Sequence, residues 1–106
     1  KTHEYMNKNF DKAISLNEVA KLANMSEASF SRFFKSHSGI TFIDSLTEIR
    51  LGHASRMLID TSLSVAEIAY NCGFNNISNF NRIFKKKKKC TPKEFRESYS
   101  GVRIFV

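Results

Sequence analysis

Tryptophan is absent from this chain, proline occurs once, at Pro92, and glycine only four times in 106 residues. So few turn-formers argue against a turn-rich β architecture, and no stretch alternates apolar and polar residues for long enough to make a strand. No apolar run approaches the roughly 18 residues that a membrane span needs. The opening, Lys1-Thr2-His3-Glu4-Tyr5, is polar and of mixed charge and has no signal-peptide pattern. The two cysteines, Cys72 and Cys90, do not form a CxxC pair, so reduced thiols of a cytoplasmic protein are expected. His3, His37 and His53 are scattered at no ligand spacing to either cysteine, and neither a metal nor a cofactor is expected. There is no G-x-S-x-G elbow, no phosphate-binding loop and no dinucleotide glycine fingerprint, so the chain does not read as an enzyme.

What the chain does have is a core and a charge. Hydrophobic residues make up 42% of it, too many for a disordered segment. Its length is near the commonest size of a single domain. Seventeen Lys and Arg oppose ten Asp and Glu, a net charge of +7. A small domain this basic favours a polyanionic partner. Nucleic acid is the first candidate. A membrane surface is the second, but no apolar face accompanies the basic residues, so no membrane partner is expected.

Apolar spacing and capping signals divide the chain into helices. A weakly periodic first helix covers residues 2–10, with Tyr5, Met6 and Phe10. Ser15-Leu16-Asn17-Glu18 is a capping box that opens a short helix with Leu16, Val19, Ala20 and Leu22 as its apolar positions. Ser26 caps the next helix, Met25 and Phe30 stand at hydrophobic-staple spacing, and Phe30, Phe33 and Phe34 make an i, i+3, i+4 stripe expected to be buried. Gly39 is its stop. Thr41 caps a longer helix over about 42–59, with Phe42, Leu46, Ile49, Ala54, Met57 and Leu58 turned inward. Ser64-Val65-Ala66-Glu67 is a second capping box, with Gly73 as an interruption. Asn76 caps a helix striped by Phe80, Ile83 and Phe84. Thr91-Pro92-Lys93-Glu94 is a third box, with Pro in the favoured first position of a short helix bearing Phe95 and Tyr99. The tail, residues 101–106, is apolar and has no assigned structure.

The pattern repeats. Phe30-Ser31-Arg32-Phe33-Phe34-Lys35 matches Phe80-Asn81-Arg82-Ile83-Phe84-Lys85 at an offset of 50. Leu16, Glu18, Val19 and Ala20 match Val65, Glu67, Ile68 and Ala69 at an offset of 49. The repeating unit is therefore short helix, turn, second helix, with one extra residue in the second turn. Each copy is small for independent stability, and the helix at 42–59 gives both a wall to pack on. Its 18 residues span about 27 Å. With half a helix diameter added at each end, two reading helices come within reach of successive major-groove faces, about 34 Å apart.

With the apolar stripe removed, the second helix of each copy leaves one polar face. In the first copy this is Ala28, Ser31, Arg32 and Lys35; in the second it is Ser78, Asn81, Arg82 and Lys85. Arg pairs bidentately with guanine and Asn with adenine, while Ser and Ala permit close approach to base edges. Ile77 is either core or a contact to a thymine methyl, and Asn79 either contacts DNA or supports the turn. Lys35 and Lys85 suit phosphates. The run Lys85 to Lys89 adds candidate phosphate contacts at Lys86 and Lys89. An ordinary solvated helix face with lysines at a helix C-terminus is the plain alternative; recurrence at matched positions weighs against it. Glu18 and Glu67 sit at capping-box positions and read as structural. The competing functions are a non-specific architectural nucleic-acid binder driven by the lysine run, and a protein-interaction module of incidental basic charge.

These segments, with Gly39, Arg50-Leu51, Gly73-Phe74 and Thr91-Pro92-Lys93-Glu94-Phe95-Arg96, resemble the DNA-binding domain of the AraC/XylS family of bacterial transcription regulators over about residues 3–99. The resemblance implies an all-α fold of seven helices: a first helix-turn-helix subdomain (1–40), a linker helix (41–60), a second subdomain (61–100) and the tail (101–106). It implies double-stranded DNA as partner, with base-reading positions at Ala28, Ser31, Arg32, Ile77, Ser78, Asn79, Asn81 and Arg82. It further implies contact with RNA polymerase, commonly as an activator, and residence in the cytoplasm at the nucleoid. Members carry a sensor or receiver domain, so this chain is expected to be a fragment of a longer regulator. Lysines stand at positions 87–89 where the family has aromatic residues and a glycine, so the helix ending there is expected to fray or to terminate differently.

Overall fold

The computed structural model describes residues 2–104, with side chains through Tyr99. Among them are seven helices and no strand: α1 (Thr2–Asn9), α2 (Leu16–Leu22), α3 (Glu27–Ser38), α4 (Phe42–Asp60), α5 (Val65–Asn71), α6 (Ile77–Lys88) and α7 (Pro92–Ile104). The starts follow from capping chemistry. Ser15 Oγ accepts the Glu18 N–H at 3.1 Å while the Ser15 N–H donates to Glu18 Oε1 at 3.1 Å. Ser64 with Glu67 and Thr91 with Glu94 make the same reciprocal pair. Each box satisfies two donors that a helix start would otherwise leave open. The Ser64 backbone N–H and then its side chain hold the Glu67 carboxyl below the usual range. Thr91 does the same for Glu94, with a smaller pull from Lys85. Lowered carboxyl pKa values contribute stability above the ordinary carboxylate range and lose it as pH falls through the lowered value.

The chain divides into two compact units, Lys1–Arg50 and Leu51–Val106. The boundary falls inside α4, so its first half is the closing helix of unit 1 and its second half the opening helix of unit 2. In unit 1, Met6, Val19, Ala20, Phe30, Phe34, Phe42 and Leu46 form the core. Phe30, Phe34 and Phe42 pack as a triangle of rings with centroids 5.7–5.8 Å apart. In unit 2, Leu51, Ala54, Leu58, Ile68, Ala69, Cys72, Phe74, Phe80 and Phe84 are buried. Phe80 lies against Phe74 at 4.9 Å and against Phe84 at 5.7 Å, and Phe84 in turn meets Phe95 at 5.5 Å.

Each unit is also tied by one arginine, a role that no periodicity in the sequence announces. Arg50 donates from Nε to the Phe10 carbonyl (2.8 Å) and from Nη2 to that of Lys12 (2.9 Å). Arg96 donates from Nε to Leu58 (2.9 Å) and from Nη2 to Thr61 (3.1 Å). In both units a guanidinium fork from the closing helix thus satisfies carbonyls in the last turn of the opening helix or just beyond it, where intrahelical donors run out.

Several expectations need correction. Phe33 is not in the buried stripe: it is 49% exposed and lies on His37, centroids 4.1 Å apart. The buried stripe is therefore narrowed to the i and i+4 positions, Phe30 and Phe34, and Ile83, the counterpart of Phe33 in α6, is likewise only half-buried. Leu22, one of the apolar positions of α2, is exposed. The last helix is not short, because α7 runs to Ile104 and so takes in much of the tail at 101–106. Phe105 and Val106 lie outside the described residues.

Helix α6 neither frays nor ends differently from α3. Gly39 closes α3 at φ 83°, and Lys89 closes α6 at φ 68°, each donating its N–H to the carbonyl four residues back, Lys35 and Lys85. A Cβ in this left-handed conformation costs about 1 kcal/mol. Lys89→Gly is therefore expected to stabilise the DNA-free protein by about 1 kcal/mol, raising its Tm by roughly 4 °C or more in thermal denaturation.

Candidate nucleic-acid interface

The turn between the two short helices of each unit is built the same way, bond for bond. In unit 1 the Asn24 N–H donates to Lys21 O (3.0 Å) and the Met25 N–H to Ala20 O (2.9 Å). In unit 2 the Gly73 N–H donates to Tyr70 O (3.1 Å) and the Phe74 N–H to Ala69 O (2.9 Å). All four pairs of positions are related by an offset of 49. The turn needs one left-handed residue: Gly73 supplies it at φ 94°, and Asn24 at φ 58°. Asn tolerates that region better than most residues, which is why unit 1 makes the turn without glycine. Asn75 is the extra residue. After each turn a side chain caps the next helix, with Ser26 Oγ accepting from Ser29 N–H (3.1 Å) and Asn76 Oδ1 from Asn79 N–H (2.8 Å).

Helices α3 and α6 each bury one phenylalanine edge and present the other face to solvent. On α3, Ala28, Arg32 and Lys35 are exposed and Ser31 half-buried. Ser31, Arg32 and Lys35 share the lining of a groove of about 460 Å³ with Leu16, Thr41 and Ile43, between the starts of α2 and α4. On α6, Ser78, Asn79, Asn81, Arg82, Lys85, Lys86 and Lys89 are exposed and Ile77 is half-buried. The repeat-equivalent groove in unit 2, about 300 Å³, is lined by Val65, Ile77, Asn81, Thr91, Pro92 and Lys93. Each groove therefore joins the polar face of the second helix to the starts of its neighbours. Asn79 does two things that sequence alone left open: its N–H completes the cap, and its Oδ1 accepts a hydrogen bond from Arg82 Nη2. Arg82 is thereby held over the first turn of its own helix.

A short helix, a turn held by conserved bond geometry between the two units and a second helix with an open polar face make a helix-turn-helix, here present twice. A family model described as "Helix-turn-helix domain" matches residues 19–98. A structure described as AraC-type, from a transcriptional regulator of Chromobacterium violaceum, superposes with a TM-score of 0.86 at 26% identity, covering 92% of this chain and 88% of that one. The chain belongs to the AraC/XylS family of helix-turn-helix domains.

The DNA-binding domain of AdpA, a global transcriptional factor solved in complex with a target DNA, has a TM-score of 0.91 at 25% identity, over 96% of this chain and 92% of that one. The HTH-type transcriptional regulator GlxA of Rhizobium meliloti is 37% identical over 93 residues, covering 88% of this chain. The chain spans 29% of the length of that regulator. AraC/XylS domains of this kind are the DNA-binding parts of transcription regulators, and this chain is one.

Within this AraC/XylS domain the charge is unequally shared. Unit 1 has seven basic and six acidic residues, and unit 2 has ten basic and four acidic. Four of the basic residues, Lys85 to Lys88, lie in the last turn of α6, where the helix dipole also favours cations. At the matching end of α3 stand Lys35, Ser36, His37 and Ser38, of which only Lys35 keeps its partner's type. No helix among the described residues is long and apolar enough to cross a membrane.

Proposed function

We propose that this domain reads a specific duplex by placing α3 and α6 in two adjacent major-groove segments, and that it activates transcription as part of a longer bacterial regulator. The observation that carries the reading is the matched pair of polar faces, Ala28, Ser31 and Arg32 on α3 and Ser78, Asn81 and Arg82 on α6, behind turns closed by the same pair of backbone hydrogen bonds. Ile77 and Asn79 complete the second face. Lys35, Lys85, Lys86 and Lys89 are assigned to phosphates, which position the helices without reading sequence. A sensor or receiver domain elsewhere in the protein and contact with RNA polymerase at the promoter belong to the same proposal, as does a place in the cytoplasm at the nucleoid. The length of GlxA beyond the matched part is in keeping with a further domain.

The test is a comparison of cognate and random DNA. After selection of a site from random duplexes, Arg32→Ala and Arg82→Ala are each expected to cost about 1–3 kcal/mol at that site and little on random sequence. Equal losses on both duplexes, measured by fluorescence anisotropy at fixed salt, count against the proposal. The lysine-rich end of α6 favours one second reading, an architectural binder, which predicts a steep salt slope and no enriched site.

A further inference from the structure

The faces assigned above leave out the exposed acidic side chain at the start of α3. Glu27 is the first residue of α3, and its counterpart in α6 at the offset of 50 is Ile77, which lines the groove beside Asn81. Asn17, the second residue of α2, donates from Nδ2 to Glu27 Oε2 at 2.9 Å, so the starts of the two helices of the motif are joined by their side chains. The positions equivalent to this pair in unit 2 are Ala66 and Ile77, which cannot make it. The link is therefore special to unit 1.

Resting on the reading of α3 as a major-groove helix, we infer that Glu27 is a specificity-determining residue that accepts a hydrogen bond from the exocyclic N4 amino group of a cytosine, and that Asn17 is its positioning residue. Three physical points lead there. The N-terminal residues of the second helix are those that reach base edges in this motif. A carboxylate only accepts, and the cytosine amino group is the major-groove donor it matches. Against phosphates, or facing guanine O6 and N7, the same carboxylate is repelled, so it penalises wrong sequences as well as favouring the right one. One oxygen is engaged by Asn17, which fixes the side chain while the second oxygen remains to accept from a base. Acidic residues in a first turn also favour the helix dipole. That role accounts for a carboxylate at this position, but not for its tie to α2, and it bears on stability rather than on base preference. Unit 2, with Ile77 in the same place, has only an apolar surface to offer there, suited to a thymine methyl.

The experiment is a random-duplex selection with the wild-type domain, Glu27→Ala and Glu27→Gln in parallel, each checked for helical content and thermal stability. The wild type is expected to enrich a cytosine at one position of the half-site read by unit 1. Glu27→Ala is expected to lose that preference, with discrimination at this one position falling about tenfold or more. Glu27→Gln is expected to shift it towards adenine, since an amide pairs bidentately with adenine N6 and N7. Asn17→Ala is expected to weaken the cytosine preference without changing its identity. If all three Glu27 forms select the same bases at every position, the inference is overturned while the DNA-reading proposal stands. If none of the proteins enriches any duplex, that proposal fails and takes this inference with it. A variant that loses stability yet keeps the cytosine assigns Glu27 to the helix dipole alone.

Discussion

Phe80→Ala is expected to destabilise the protein by about 3–5 kcal/mol, the range for removing a fully buried aromatic ring from a close-packed core. Phe80 is 0% exposed and touches Phe74 on one side and Phe84 on the other. It stands on the buried face of α6, whose opposite face carries Asn81 and Arg82, so the reading face loses its support with the core. Folding free energies of domains are only about 5–15 kcal/mol, and a loss of this size removes much of the stability of unit 2. Urea denaturation followed by circular dichroism measures it. Phe33→Ala is the internal control. Phe33 is half-exposed in the same motif of unit 1, and surface substitutions of this kind stay within about 0.5 kcal/mol. A comparable loss from both variants would show that the burial pattern described above is wrong.

The second large effect is electrostatic. With Lys35, Lys85, Lys86 and Lys89 on phosphates, the slope of log K against log salt is expected near −3.6, so raising salt from about 50 to 200 mM weakens binding roughly 10²-fold from these contacts alone. Replacing Lys85, Lys86 and Lys89 together by Ala is expected to flatten the slope by about 3, and Lys35→Ala by about 1. The selected site should stay the same, because phosphate contacts carry no sequence information. Anisotropy titrations at four salt concentrations give the slopes. An unchanged slope in the triple variant would assign the lysine run to a solvated helix end. Lys85 has a further partner, because its charge helps to lower the Glu94 carboxyl. Part of its effect is therefore expected on the stability of α7 rather than on DNA.

The residues that announce themselves in this chain do so through local chemistry. Ser15 with Glu18, Ser64 with Glu67, and Thr91 with Glu94 form their boxes within four residues, so their spacing along the chain is enough to read them. The offset repeat is legible for the same reason: Ala20 to Met25 and Ala69 to Phe74 make one turn twice from contacts five residues apart. Phe33 misled because helical spacing says that three phenylalanines share a stripe, not how wide the wall opposite is. Lys89 misled because a left-handed cap was judged by its side chain, whereas the backbone at Lys89 takes that turn at φ 68° and closes on Lys85 without a glycine.

Glu27 was not singled out by any local spacing, since its partner Asn17 lies ten residues away on another helix. The same holds for Arg50 and Arg96, whose carbonyl partners lie 35 to 40 residues away. By itself, then, the sequence determined the helices, their starts, the duplicated motif and the basic charge, because each rests on hydrogen bonds and spacings a few residues long. Only the tertiary structure decided which phenylalanines are core, that Arg50 and Arg96 are struts, and that Asn17 holds Glu27. Those depend on where distant segments meet, and no local pattern encodes a meeting of that kind.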